Sequence, residues 1–142
     1  IHGVKKGMGV FSSNGVVGII HNTSKHFSVI KSVLTSNINI DVLISEVGVS
    51  GMLKWDGVND NIGSISGVSN DITVPKGSTV VTRGGSGIFP RGIPVGRIKH
   101  TKTVEGEASW HIDLSFSQKY AALENVYVVK NLFLEEFTQI QN

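Results

Sequence analysis

The sequence predicts an all-β protein made of short strands joined by turns, with little or no helix. The 142 residues include 17 glycines, which are typical of turns because glycine adopts backbone angles that other residues avoid. Valine and isoleucine, the β-branched residues that favour strands, are abundant. Alanine and long uninterrupted stretches of helix-forming residues are scarce, so long helices are not expected.

Composition limits the kinds of function that are possible. With 39% hydrophobic and 17% charged residues, the chain can bury a core for one domain or two very small ones. The net charge of +2 is small and its basic residues are scattered, so we expect no nucleic-acid partner. The chain has no cysteine, and therefore neither disulfides nor thiolate metal sites.

Six strand candidates fill the first half of the chain. Asn14-Gly15, a favoured hairpin dipeptide, lies between the first two. In the fifth, Met52 and Lys54 alternate with their neighbours before a turn at Asp56-Gly57. We expect these strands to form one small six-stranded barrel over residues 1–70. The candidates are residues 8–12, 16–21, 28–34, 41–45, 51–55 and 62–65.

The second half repeats this plan. In its fourth strand, Ile112, Leu114 and Phe116 alternate with polar residues, as expected for a half-buried strand. We expect a second small barrel over residues 71–142, in tandem with the first and ending in a polar tail at residues 135–142. Its strand candidates are residues 72–74, 79–82, 95–100, 110–116 and 127–134.

The two halves resemble each other in detail, which indicates an internal duplication. Lys6-Gly7 is followed by Gly9-Val10-Phe11, much as Lys76-Gly77 is followed by Thr79-Val80-Val81. The next motif, residues 15–20, matches residues 92–98, and the second copy carries about eight extra residues in the turn between. The dividing line is expected near residues 67–71.

Those extra residues belong to a glycine- and proline-rich segment between two aliphatic runs, 79–82 and 95–98. Its connection holds four glycines and two prolines, which indicates a turn with one particular backbone path. No side chain in it is an obvious nucleophile, base or metal ligand. We interpret it as a shape-defining element of a scaffold.

The string Gly-Ile-Phe-Pro-Arg-Gly-Ile-Pro-Val-Gly at residues 87–96, with Gly77 and residues 80–82 before it, has a counterpart in Gly15-Val16-Val17-Gly18. Together these strings resemble the family of rod shape-determining protein MreC, and the likeness covers nearly all of the chain. One departure is Ser78, where the family often has an acidic residue. The signature positions, structural and a possible partner surface, are Gly77, Gly84, Gly87, Ile88, Phe89, Pro90, Gly92, Val95 and Gly96.

The resemblance implies two small β-barrels, distantly like the paired barrels of trypsin-type proteases but without their activity. It implies a non-catalytic scaffold that binds a penicillin-binding transpeptidase of peptidoglycan synthesis and other proteins of the cell-elongation complex. It further implies a location on the periplasmic, extracytoplasmic side of the bacterial cytoplasmic membrane, anchored by an upstream helix outside this chain. Exposable strand edges and the family's tendency to assemble predict self-association.

A trypsin-fold serine hydrolase is the alternative. His21 or His26, Asp41 and Ser86 occur in the chain order of that catalytic triad. However, Gly85 stands where those enzymes have an acidic residue, and such an order arises easily by chance. We therefore expect no catalytic residues.

Cofactors and metals are not expected either. The segment Gly84-Gly85-Ser86-Gly87 lacks the lysine of a phosphate loop and precedes a strand rather than a helix. The five histidines show no paired metal-ligand spacing. Trp55 and Trp110 are expected to pack in the core or at barrel ends, and Phe89 to plug the second barrel rather than to be displayed on its turn.

Overall fold

The computed structural model describes residues 7–23, 28–34, 38–85, 88–118 and 127–128. These residues form ten β-strands, all paired antiparallel, and no helix occurs among them. The prediction of an all-β protein is confirmed. The strands are β1 (Gly9–Ser12), β2 (Gly15–Thr23), β3 (Ser28–Ser32), β4 (Ile40–Ile44), β5 (Val49–Trp55), β6 (Ile62–Ser66), β7 (Thr79–Thr82), β8 (Pro94–Lys102), β9 (His111–Phe116) and β10 (Tyr127–Val128).

Six of the strands close a barrel in the order β4-β5-β6-β9-β8-β7. Alternation along each strand fills its interior, because successive side chains point to opposite faces. On β4, Val42 and Ile44 are fully buried, whereas Asp41 and Leu43, which alternate with them, are half-buried. On β9, Ile112 and Leu114 are buried between exposed polar neighbours, as the sequence pattern predicts.

The other four strands form a sheet in the order β10-β1-β2-β3. This sheet has two apolar faces. Val16 and Val33 belong to the same buried cluster as the barrel interior, so one face packs on the barrel. Val10, Val17 and Ile20 form a separate small cluster on the other face.

The predicted division of the chain at residues 70 and 71 does not coincide with this architecture. It falls inside the closed barrel, where β6 pairs with β9 and β4 pairs with β7. Residues 72–74, predicted as a strand, form an irregular connection instead. Period and turn signals locate strands, but hydrogen bonds between distant strands decide which of them share a barrel.

The hairpins of the two halves pair in the same way, which supports the predicted duplication. Val10 faces Gly18 in the first hairpin, and Val80 faces Gly96 in the second. In both, the register shifts directly after that valine, which is a β-bulge.

The match extends beyond the hairpins. The backbone N–H of Gly7 donates to the Ile20 carbonyl at 2.9 Å, and that of Gly77 donates to the Ile98 carbonyl at 2.8 Å. Both glycines have positive φ, 90° and 87°, a conformation that other residues rarely adopt. The pairing with the third strand also matches. The register of β2–β3 shifts after Ile20, and that of β8–β9 shifts after Ile98. Thus β1–β3 and β7–β9 are two copies of one three-stranded unit.

Candidate functional site

The signature segment, residues 77–96, contains β7, the start of β8 and the turn between them, which lies where the four-stranded sheet meets the barrel. Phe89 is only 5% exposed and belongs to the main core, so the expectation that it is buried rather than displayed is confirmed. Its ring also touches the other sheet: a Cβ atom built on Gly9 of β1 would lie 2.6 Å from Phe89 Cε1. The Gly9 N–H donates to the Ile88 carbonyl at 3.2 Å. Through Ile88 and Phe89, the turn therefore contacts both the barrel core and β1 of the sheet.

Thr82 holds this turn in place from within. Its side chain is 1% exposed, and its hydroxyl donates to the Pro90 carbonyl at 2.6 Å. The same oxygen accepts the N–H of Ile93 at 2.9 Å. Gly92, with φ of 102°, donates its N–H to the Thr82 carbonyl at 3.0 Å. Two ends of an irregular turn are thus bridged by one buried hydroxyl, which the sequence interpretation did not single out.

Most other signature residues serve backbone geometry. Gly84 has φ of 80°, and a Cβ atom there would lie 2.9 Å from the Arg91 nitrogen. At Gly96 a Cβ atom would lie 2.1 Å from the Ser115 carbonyl oxygen. Val95 is buried, whereas Pro90, Gly77 and Gly92 are exposed and Ile88 is half-buried. Gly87 lies outside the described residues. The role of these positions as a partner surface stays a prediction.

A second contact between sheet and barrel is polar. The buried hydroxyl of Ser12 donates to Oε1 of Gln118, which is itself 3% exposed. Nearby, the Ser117 hydroxyl donates to the Asn14 carbonyl at 2.6 Å. A buried polar pair of this kind specifies one arrangement, since separating it would leave polar atoms without water. These residues were not predicted, because no local pattern links positions 106 apart.

Close approach of the backbone completes that contact. Gly15 has φ of 139°, and a Cβ atom there would lie 2.4 Å from the Pro94 carbonyl oxygen. The turn between β1 and β2 therefore rests directly on the start of β8. Asn14-Gly15 was predicted as a hairpin turn, and the structure gives its glycine a further role at the junction.

One carboxylate has an altered pKa next to the repeated unit. Desolvation opposes ionisation of Glu46, but hydrogen bonds from its own backbone and from the Thr79 N–H, at 2.7 Å, together with attraction to Arg97, lower its pKa overall. Thr79 is the counterpart of Gly9 in the duplication. The Glu46 carboxylate thus meets the N–H that corresponds to the one bound by Ile88 in the first unit.

The departure at Ser78 also has a structural basis. The residue is 3% exposed, and its hydroxyl donates to the Pro75 carbonyl at 2.6 Å. This bond tightens the turn that leads into β7. A small hydroxyl fits this buried position without the cost of burying a charge.

The hydrolase triad can be located only in part. Asp41 is half-buried on β4 and lines a small pocket of about 50 Å³ together with Ile88 and Phe89. Ser86 and His26 lie outside the described residues, as do the side chain of His21 and the tail 135–142. No group of three histidine or acidic side chains that could hold a metal occurs in the described ranges.

The two tryptophans lie on the barrel half-buried, each with its indole N–H bonded to a backbone carbonyl. Trp55 donates to Asn59 at 2.9 Å and Trp110 to Ile72 at 2.7 Å. Both rings pack against the main core, as predicted. Within the part of the chain that the structure describes, no helix has the length and apolar character to cross a membrane.

Known proteins resemble this chain in both sequence and fold. The cell shape-determining protein MreC of Caulobacter vibrioides is 27% identical over 139 residues, which is 97% of this chain and 37% of that relative. The chain thus spans little more than a third of it. The crystal structure of MreC from Pseudomonas aeruginosa has a TM-score of 0.83 at 20% identity, over 89% of this chain and 81% of that one.

A third likeness is to a complex between penicillin-binding protein PBP2 and MreC from Helicobacter pylori. Its TM-score is 0.73 at 19% identity, over 92% of this chain and 83% of that one. A family model described as rod shape-determining protein MreC, barrel core, matches residues 1–130. The chain therefore belongs to the MreC family of rod shape-determining proteins.

Proposed function

We propose that this chain is a non-catalytic scaffold of the bacterial cell-elongation machinery, which binds and positions a transpeptidase of peptidoglycan synthesis. The observation that carries the proposal is membership of the MreC family, together with a related structure that is a complex with a penicillin-binding protein. In this role the chain links the enzyme to the cytoskeletal rod complex. It acts on the extracytoplasmic side of the membrane and associates with copies of itself.

The junction described above suits a scaffold. Two independent contacts, one at Phe89 and one at Ser12, hold the sheet against the barrel. Preorganised partners lose less freedom when they bind, so a fixed arrangement favours affinity. A scaffold of this kind acts through the shape of its surface rather than through reactive groups.

Binding between purified partners tests the proposal. The chain is immobilised and exposed to the extracytoplasmic region of the elongation transpeptidase from the same organism. We expect saturable binding, with a transpeptidase of another cell-wall process from that organism as the specificity control. Failure to bind any elongation transpeptidase, with a correctly folded chain, would contradict the scaffold role.

A separate assay addresses the hydrolase alternative, most of whose candidate residues lie outside the described ranges. Peptidase activity of the chain is compared with that of Ser86→Ala. We expect both to remain at the level of buffer, because the proposed role needs no nucleophile. A rate that depends on Ser86 would overturn the non-catalytic assignment.

A further inference from the structure

The loop between β5 and β6 presents one aliphatic side chain to solvent. Val58 is 86% exposed, yet the loop is held in place by hydrogen bonds. The Asp56 carboxylate accepts the N–H groups of Val58 at 2.9 Å and Asn59 at 3.0 Å. The Trp55 indole donates to the Asn59 carbonyl at 2.9 Å. The exposure of Val58 is therefore a fixed property of an ordered loop.

A shallow groove of about 330 Å³ lies on the strands β7, β8 and β9. Its accessible lining is mainly apolar: Pro94 is exposed, while Val80 and Phe116, only 0% and 9% exposed, belong to the barrel core beneath it. Arg97 and Ser115, both exposed, lie at its rim. The groove can hold a branched aliphatic side chain together with the backbone that carries it.

The loop and the groove are neighbours at one end of the barrel. Ile62, where β6 begins, pairs with Ser115. The Asn61 carbonyl accepts the N–H of Phe116 at 2.9 Å. A surface that carries a projection beside a matching groove can pair with its own copy about a two-fold axis, and such pairing is closed rather than open-ended.

The charged residues of the loop and of the groove are also complementary. Asp56 and Asp60 flank Val58 in the loop, and both are exposed. Arg97 lies at the rim of the groove, where Glu46 is its acidic neighbour on the same copy. Two-fold pairing would bring the acidic loop of one copy towards the arginine of the other, and such complementarity fixes the register of an interface.

We infer that two copies of this chain associate through this end of the barrel, with Val58 of each copy inserted in the β7–β9 groove of the other. The inference rests on the self-association included in the proposed function and names its surface. Val58 is the central apolar contact, and the acidic residues beside it orient the approach. Burial of its exposed apolar surface in the groove supplies the hydrophobic contribution to the contact.

Cross-linking tests the predicted contact directly, because the natural chain has no cysteine. A Val58→Cys chain is mixed with a Ser115→Cys chain and treated with a short bifunctional maleimide. Each chain then holds one thiol, so a Val58–Ser115 link forms only between copies. We expect heterodimers from this mixture and few from Val58→Cys mixed with Lys102→Cys, an exposed position at the other end of β8.

Sedimentation of matched variants gives an independent measure. We expect Val58→Asp and Arg97→Glu each to raise the dimer dissociation constant by about tenfold or more, and Lys102→Glu to leave it unchanged. Circular dichroism verifies that each variant is folded. Dimers that persist in Val58→Asp, or equal cross-linking to both cysteine positions, would overturn this surface but leave self-association standing. A monomer at every concentration would overturn both, while transpeptidase binding is measured separately.

Discussion

Gly9 lies where the sheet meets the signature turn, and the lack of a side chain there sets how closely the two approach. The Ile88 carbonyl and the Phe89 ring occupy the space that a Cβ atom would fill. Thr82 acts from the other side of the turn through a hydroxyl that both donates and accepts. The missing Cβ atom of Gly9 and the hydroxyl of Thr82 thus determine how the turn lies between sheet and barrel.

Gly9→Ala is expected to destabilise the fold by about 1–3 kcal/mol, the range for overfilling a packed interior. The added methyl would lie 2.4 Å from the Ile88 oxygen, so the turn must move. Urea denaturation measures the loss. Ser13→Ala, at an exposed position in the adjacent turn, is the control and should change stability little. A Gly9→Ala chain as stable as the natural one would show that the turn yields without cost.

Thr82→Val keeps the shape of the side chain but removes its hydroxyl. The Pro90 carbonyl and the Ile93 N–H each lose a partner, and we expect a loss of about 1–3 kcal/mol because a buried polar group left unpaired is costly. Thr73→Val, at an exposed position, is the matched control. Equal urea midpoints for the two variants would mean that the hydroxyl does not hold the turn.

At the scale of elements, the repeated three-stranded unit has been adapted to two different environments. In the first copy, Val16 and Val33 are buried against the barrel. Their counterparts in the second copy, Pro94 and Ser117, are exposed. The same pairing pattern therefore presents a buried face where it meets the barrel and an exposed face where it meets solvent.

Glu46 lies in the turn between β4 and β5, and its carboxylate accepts the N–H of Thr79, the first residue of β7. This bond joins the second three-stranded unit, β7–β9, to the turn beside it. The pKa of Glu46 is lowered in the folded state. Its carboxylate therefore stabilises the fold at pH values above the usual pKa range of glutamate, and this stabilisation is lost as the pH falls through the lowered pKa. We expect the urea midpoints of the natural chain and Glu46→Gln to differ at neutral pH and to converge in acid. Glu105→Gln, at an exposed position between β8 and β9, is the control. A difference that does not depend on pH would contradict this role of the charge.

Local patterns predicted what is local. The Asn14-Gly15 hairpin follows from the turn preference of that dipeptide, and the burial pattern of β9 follows from its alternating apolar and polar residues. The burial of Phe89 was predicted from its place in a glycine-rich turn that can fold over the barrel. Strand partnership could not be predicted in the same way, since β4 pairs with β7 across the predicted division. The Ser12–Gln118 bond, between positions 106 apart, needs the three-dimensional arrangement before it can be seen.

The whole molecule has a core that crosses from sheet to barrel, so the two should unfold together. Val33 directly follows β3 and donates its N–H to the Val17 carbonyl of β2 at 2.9 Å, and it belongs to the same buried cluster as the barrel interior. Both tryptophans, Trp55 and Trp110, pack against that cluster from the barrel, and their fluorescence therefore reports on the barrel alone. Far-ultraviolet circular dichroism reports on all strands. Tryptophan fluorescence can therefore show whether a substitution in the sheet also destabilises the barrel.

Val33→Ala is expected to cost about 1–3 kcal/mol through loss of buried volume. Because the core is shared, the fluorescence and circular dichroism midpoints should both fall, and by the same amount, as in a two-state transition. The control is Val58→Ala, which removes a side chain that is 86% exposed in the isolated chain and should leave both midpoints in place at concentrations where the chain is monomeric. If Val33→Ala shifted only the circular dichroism midpoint, sheet and barrel would be independent units, and the junction at Phe89 and Ser12 would not couple them.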